Sequence, residues 1–156
     1  MAEQNRILVV DDDENILKVV AAILKDKGYT VETASSGNEA IKKTQKAHYD
    51  LMLIDIRLPD MEGTELLTKV KETTPKIRKV IVTGYPTLHN AVTAVNKGAD
   101  AYIMKPFEVE KMLDTIKEQL EKQKQERRFS EDRVAEFIET RIKAMDFEQP
   151  KTTKTT

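Results

Sequence analysis

Short apolar runs recur along the chain, and each stops at a residue with chemistry to offer. Ile7-Leu8-Val9-Val10 runs into Asp11-Asp12-Asp13-Glu14, and Leu51-Met52-Leu53-Ile54 ends in Asp55. Val80-Ile81-Val82 ends in Thr83, and the brief Tyr102-Ile103-Met104 ends in Lys105-Pro106. Apolar runs of this length, without polar alternation, predict strands buried on both faces. Residues 30–34 predict one more short strand. Between the strands the spacing turns helical. Ile16, Leu17, Val20, Ile23 and Leu24 mark a first helix, which Gly28 closes. A second is predicted over 38–47, after the turn Ser35-Ser36-Gly37. A third carries Leu66, Leu67 and Val70, beyond the interruption Leu58-Pro59-Asp60. The loop Gly84-Tyr85-Pro86 precedes a weaker fourth, with Ala91, Val92 and Val95 on its apolar side and Gly98 at its end. Phe107 opens a last, long helix.

Strands alternating with helices predict an α/β fold built on one five-stranded parallel sheet, doubly wound, with helices on both faces. Right-handed crossovers and the strand order 2-1-3-4-5 place a switch point between the first and third strands. The Asp11 cluster then lies beside Asp55; another order would separate them. Past Leu120 the composition changes. Residues 121–128 are almost wholly charged or amide-bearing, and Ser130 offers an N-cap with Glu131 and Asp132 in the turn that follows. Val134, Phe137, Ile138, Ile142 and Met145 form an apolar stripe at helical spacing. The closing stretch from Pro150 has nothing to bury. The expected organisation is a domain over 1–120, a helical extension over 121–149 and a disordered tail over 150–156.

Composition narrows the function without choosing it. Charged residues make up 34% of the 156, but acids and bases nearly cancel to a net charge of -1. That balance gives no electrostatic case for binding nucleic acid or an anionic membrane. The absence of cysteine removes disulfides, thiolate metal sites and cysteine nucleophiles. His48 and His89 are too far apart in sequence to suggest a zinc site. No apolar stretch approaches membrane-spanning length, and with a strand starting by Ile7 no signal peptide is expected. The expectation is a soluble cytoplasmic protein.

The strand ends carry the chemistry. In a parallel sheet their carboxyl ends share one edge, so Asp11, Asp12, Asp55, Thr83 and Lys105 would meet in one crevice. Mg²⁺ takes oxygen ligands and commonly uses one or two carboxylates with waters and phosphate oxygens, a number that Asp11 or Asp12 with Asp55 can supply. Helix capping alone would need one aspartate, and adjacent like charges repel. Asp13 and Glu14 suit the helix N-terminus better. A carboxylate can also attack phosphorus to form an acyl phosphate, with the metal, the Lys105 ammonium and the Thr83 hydroxyl sharing the phosphoryl charge. Taken singly, Lys105 reads as a surface lysine before a turn and Thr83 as a strand-end hydroxyl. Their coincidence at one sheet edge is the argument.

These residues resemble the receiver domain of two-component response regulators over residues 6–120. The motifs are Val9-Val10-Asp11-Asp12, Asp55-Ile56-Arg57-Leu58-Pro59 with Gly63 four positions on, Val82-Thr83-Gly84, and Lys105-Pro106-Phe107. The resemblance implies a flavodoxin-like doubly wound sheet and a phosphoryl group accepted by Asp55 from a sensor histidine kinase. It makes Asp11 and Asp12 the acid pair, with Asp12 a direct Mg²⁺ ligand and the Arg57 carbonyl a further one. Thr83 and Lys105 contact the phosphoryl oxygens, and the Lys105-Pro106 bond is cis. Tyr102 matches the switch aromatic, which turns inward as Thr83 moves toward the phosphate. Arg57 and Tyr85 fall where the family modulates self-dephosphorylation.

Three other readings fit less well. An Asp-nucleophile, Mg²⁺-dependent phosphohydrolase of the haloacid dehalogenase type needs Asp-x-Asp-x-Thr/Val after its first strand, whereas Asp13 is followed by Glu14 and Asn15. A flavodoxin-like binding module needs a loop of N–H donors where this chain has four acids. A degenerate receiver, serving interaction alone, would not need Asp12, Asp55, Thr83 and Lys105 together. With about 35 residues after the receiver, no DNA-binding or ATPase effector is expected in this sequence. The expectation is a stand-alone receiver, a non-enzymatic switch read by a protein partner on the fourth helix, fifth strand and last helix. The 134–145 stripe is then a homodimerisation or partner-docking helix, or it packs back on its own domain; a larger regulator lacking its effector is the alternative.

Overall fold

The computed structural model describes residues 5–73, 75–84, 87–106 and 108–153, with side chains given as far as residue 144. Five strands, β1 (Arg6–Val10), β2 (Thr30–Ala34), β3 (Leu51–Asp55), β4 (Arg78–Thr83) and β5 (Ala101–Met104), alternate with α1 (Glu14–Asp26), α2 (Gly37–Lys46), α3 (Gly63–Lys69), α4 (Leu88–Asn96) and α5 (Val109–Thr153). All pair in parallel, in the order β2-β1-β3-β4-β5. The doubly wound sheet and its order are those the sequence pattern predicts. Side chains alternate across each strand, so the apolar runs feed two cores. Ile7, Val9, Leu51, Leu53, Val80 and Val82 pack with α1 and the first turns of α5, through Leu17, Leu24, Met112 and Ile116. Leu8, Val10, Met52, Ile54 and Ile81 pack on the other face with Ala40, Leu66, Leu67 and Ala94.

Local signals set the helix ends. The Asp13 carboxylate accepts hydrogen bonds from the N–H groups of Asn15 and Ile16 at the start of α1. Ser36 and Thr87 cap α2 and α4 in the same way. Gly28 follows α1 at φ +94°, a conformation that costs glycine little and other residues more.

Two expectations fail for physical reasons. In α4 the buried residue is Ala94, while Leu88, Val92 and Val95 are exposed. A 3–4 spacing reveals a stripe on a short helix but not which side meets the sheet, and small Ala94 permits the closer approach. The second concerns α5, which runs as one helix to Thr153 with no new start at Ser130. Between Pro106 and Pro150 there is neither glycine nor proline, and Glu, Lys, Gln and Arg are good helix formers. Pairs four residues apart reinforce it, Lys122 with Glu118 at 3.3 Å and Arg127 with Glu131 at 3.2 Å. Residues 150–153, expected as unstructured tail, belong to this helix. Phe107 and residues 154–156 lie outside the described residues. The chain divides into compact units at Gln123 and Lys124.

The opposite edge of the first unit is polar and buried. The Arg78 guanidinium donates to Gln119 Oε1 and lies 3.6 Å from Asp100, and Gln123 Nε2 donates to the carbonyls of Asp50 and Lys76. Nearby, the buried Tyr49 hydroxyl donates to Glu32, with Arg6 over the ring at 5.2 Å. Burial, and then the Glu32 hydrogen bond, push the phenol up to about 12 from 10.0. A raised acid contributes stability that is intact below its unfolded value and is lost as pH rises through the folded one. Stability should therefore fall by on the order of 2 kcal/mol between about pH 10 and 12. Tyr49→Phe should flatten that decline in urea unfolding across the alkaline range. An unchanged slope in the variant would assign the titration to another group.

Candidate functional site

The carboxyl edge gathers the strand-end residues. Asp11, 4% exposed, follows β1; its N–H donates to the Ala34 carbonyl, and its Oδ1 accepts from the Asp13 N–H at 2.9 Å. Asp12 next to it is exposed. The four consecutive acids thus divide their work, with Asp13 on the helix end and Asp11 turned to the crevice. Asp55 closes β3 from the neighbouring strand. One oxygen from each of Asp11, Asp12 and Asp55 lies within 4.8 Å of the others, a hard-oxygen set that fits a divalent cation such as Mg²⁺.

Lys105 joins them from the far side. Its Nζ sits 3.1 Å from Asp11 Oδ2 and 3.3 Å from Asp55 Oδ1. Its backbone N–H donates to the carbonyl of Thr83, the fully buried last residue of β4, so the side chain leaves from a fixed point. The Lys105-Pro106 bond is cis.

Two opposite effects coexist among these charges. Burial and repulsion from Asp11 push the Asp55 carboxyl above the ordinary carboxylate range, and Lys105 only partly offsets them. Burial works against the charge on Lys105, yet the Asp11 hydrogen bond and the two nearby carboxylates more than reverse this and raise it. There is no contradiction: one ammonium gains from two carboxylates, while Asp55 shares that ammonium with Asp11 and faces two other acids.

The loop after β3 is closed at several points. Arg57 and Glu62 form an antiparallel bridge, Leu58 N–H donates to the Met61 carbonyl at 3.1 Å, and Gly63 N–H donates to the Ile56 carbonyl at 2.6 Å. Gly63 is required there, because a Cβ would stand 2.3 Å from the Asp55 carbonyl oxygen and 2.9 Å from Ile56 Cα. The Arg57 backbone is thereby held two residues beyond Asp55. Sequence reasoning missed Asp60, whose carboxylate accepts from the N–H groups of Gly37 at 2.9 Å and Asn38 at 2.8 Å. These bonds hold its carboxyl below the usual range, with the Asn38 bond the larger cause. It caps α2 from a distant loop, and no local pattern announces that.

Tyr102 packs part-buried against the second core, and its hydroxyl is buried with no hydrogen-bond partner among the described residues. Gly84 is exposed beside Thr83; Tyr85 and Pro86 lie outside the described residues, and the Met145 side chain does too. Among the described residues no helix is long and apolar enough to cross a membrane.

A family model of the response regulator receiver domain matches residues 7–117. The transcriptional regulatory protein ZraR of Klebsiella oxytoca is 39% identical over 118 residues, covering 76% of this chain and 27% of that protein. The chain spans about a quarter to a half of the length of the curated relatives it matches. A crystal structure of a CheY-like response regulator receiver domain protein from Methanospirillum hungatei JF-1 is 48% identical, with TM-score 0.76, covering 80% of this chain and 99% of that one. The solution structure of the beryllofluoride-activated NtrC4 receiver domain dimer is 37% identical, with TM-score 0.71, covering 76% and 98%.

Proposed function

This chain belongs to the response regulator receiver family of two-component systems, and from that premise we propose that it is a switch set by phosphorylation of Asp55 from a sensor histidine kinase. The observation that carries the reading is the Lys105 ammonium held against both Asp11 and Asp55, beside a three-carboxylate cluster at one sheet edge. An Asp55 oxygen attacks the phosphorus of the donor; the bond from phosphorus to the donor imidazole breaks, and an acyl phosphate forms on Asp55. Lys105 and Thr83 then take phosphoryl oxygens, which spreads the charge over fixed donors. Asp11, Asp12 and Asp55, with the Arg57 carbonyl, would hold Mg²⁺, which when bound neutralises part of that charge. Water then attacks the phosphorus, the acyl C–O–P bond breaks at phosphorus, and Asp55 is regenerated as inorganic phosphate leaves; uptake and loss of the group are the domain's own chemistry.

The outward path runs through Thr83 and Tyr102. As the Thr83 hydroxyl turns to the phosphoryl group it frees space, and the Tyr102 ring moves inward. The buried Tyr102 hydroxyl, without a hydrogen-bond partner among the described residues, supports this, since an unsatisfied polar group makes its present position a costly one. The partner that reads the change is a protein, met on α4, β5 and the start of α5, where Leu88, Val92, Val95 and Met104 are exposed. In this reading residues 1–120 act as the phosphoacceptor module and 121–149 as a helical extension.

Incubation with a small phosphodonor and Mg²⁺ should raise the intact mass by one phosphoryl group, and a chelator should prevent it. Peptide mapping should assign the group to Asp55. Modification at another residue, or uptake indifferent to the chelator, would sink the proposal. Sustained release of phosphate from unrelated esters would favour the hydrolase instead.

A further inference from the structure

The far part of α5 exposes apolar side chains that the phosphoacceptor site does not use. Phe129, Val134, Phe137, Ile138 and Ile142 are between 50% and 65% exposed. Helical spacing puts Val134 and Ile138 on one face, with Glu131 and Arg141 on that same face before and after them. In heptad terms Glu131 and Ile138 hold a, Val134 and Arg141 hold d, and Phe137 and Ile142 flank at g and e. Along the face the order is negative, apolar, apolar, positive. Reversed in direction, that order becomes its own complement.

We propose that this stretch pairs with the same stretch of a second copy, antiparallel and centred near Glu136. An antiparallel pair layers a against d. Glu131 then meets Arg141 of the second copy at both ends, Val134 meets Ile138 twice in the middle, and the two Phe137 rings meet alongside. The arrangement is a two-fold, self-complementary interface. A parallel pair would layer a on a and d on d, setting Glu131 on Glu131, Arg141 on Arg141 and Arg127 on Arg127. Like charges at core positions are a strong penalty, so charge complementarity decides the direction. The fit is helped by Arg141, which among the described residues lies over the Phe137 ring at 5.9 Å and pairs with no carboxylate. Glu131, already 3.2 Å from Arg127 of its own helix, completes an alternating row of three charges at each end of the interface. The charged a and d positions also explain why the heptads are hard to see in the sequence.

Pairing of this kind does not depend on Asp55, so it is tested on the full, unphosphorylated chain. Sedimentation equilibrium over a range of concentrations should show a reversible dimer. Glu131→Arg and Arg141→Glu should each weaken it by about tenfold or more, because each brings like charges face to face. The double variant E131R/R141E should recover toward the parent, with the polarity of both pairs reversed. Far-UV circular dichroism should show the helix content of all three variants unchanged, which separates lost pairing from helix melting. A chain monomeric throughout the range would overturn the proposal. So would a dimer indifferent to the single changes, the outcome expected of parallel helices or of another surface, or a double variant that fails to recover.

Discussion

Asp55→Asn is expected to abolish phosphoryl uptake and, in the same protein, to raise its resting stability at neutral pH without Mg²⁺. The loss follows from the missing nucleophilic oxygen: an amide carries no charge to attack phosphorus. The gain follows from electrostatics. Burial and the Asp11 carboxylate hold the Asp55 carboxyl above its ordinary range, so charging it in the folded state costs free energy. Its share of stability is intact below the unfolded value near 3.9 and is lost as pH rises through the raised folded value. Asn is nearly the same size and never charges, so the advantage of the variant should shrink as pH falls into that range. Mg²⁺ should reverse the order at neutral pH, because a ligand that binds only the folded state stabilises it by mass action and the variant has lost one carboxylate. Thermal melts of both proteins, with and without Mg²⁺, across acid to neutral pH give the comparison. A variant less stable than its parent without metal would refute the account of Asp55 as a strained charge.

Gly63→Ala is expected to destabilise the domain by about 3 kcal/mol or more, at the upper end of the range for overpacked sites. The added methyl would meet backbone rather than a flexible side chain, 2.3 Å from the Asp55 carbonyl oxygen and 2.9 Å from Ile56 Cα. Relief requires moving the end of β3 or the start of α3, and either breaks the Gly63 N–H bond to the Ile56 carbonyl. The variant should therefore also take up phosphoryl groups poorly, even where enough remains folded to measure. Gly28→Ala serves as the contrast: it meets no atom within 4 Å, and its cost arises only from φ. Equal denaturant midpoints for the two variants would show that the clash is absorbed without cost.

Much of the fold is legible because its signals are local or periodic. The four apolar runs end at or one residue short of their strand ends, and right-handed crossovers make 2-1-3-4-5 the expected order; together these bring Asp11, Asp12, Asp55 and Lys105 to one edge. What escapes the sequence depends on distant or ambiguous contacts. Asp60 caps a helix 22 and 23 residues earlier in the chain. Arg78, Gln119 and Gln123 look like surface residues until the sheet and α5 enclose them. In α4 the stripe of valines gives a direction but not a side. The continuity of α5 was obscured by Ser130, a good cap that loses to the helix-forming residues on either side. Gly63 could be quoted as part of a motif, but the reason for it lies in the approach of α3 to the back of Asp55.

The Lys105 ammonium between Asp11 and Asp55 gives the resting site the character of an ion exchanger. Its carboxylates already hold a tethered counter-ion, at a local concentration that no dissolved monovalent salt can match. A singly charged ion gains little by entering, whereas a small doubly charged one concentrates more charge on the same oxygens. A cation entering the site would thus be selected by charge density, against a side chain that cannot diffuse away.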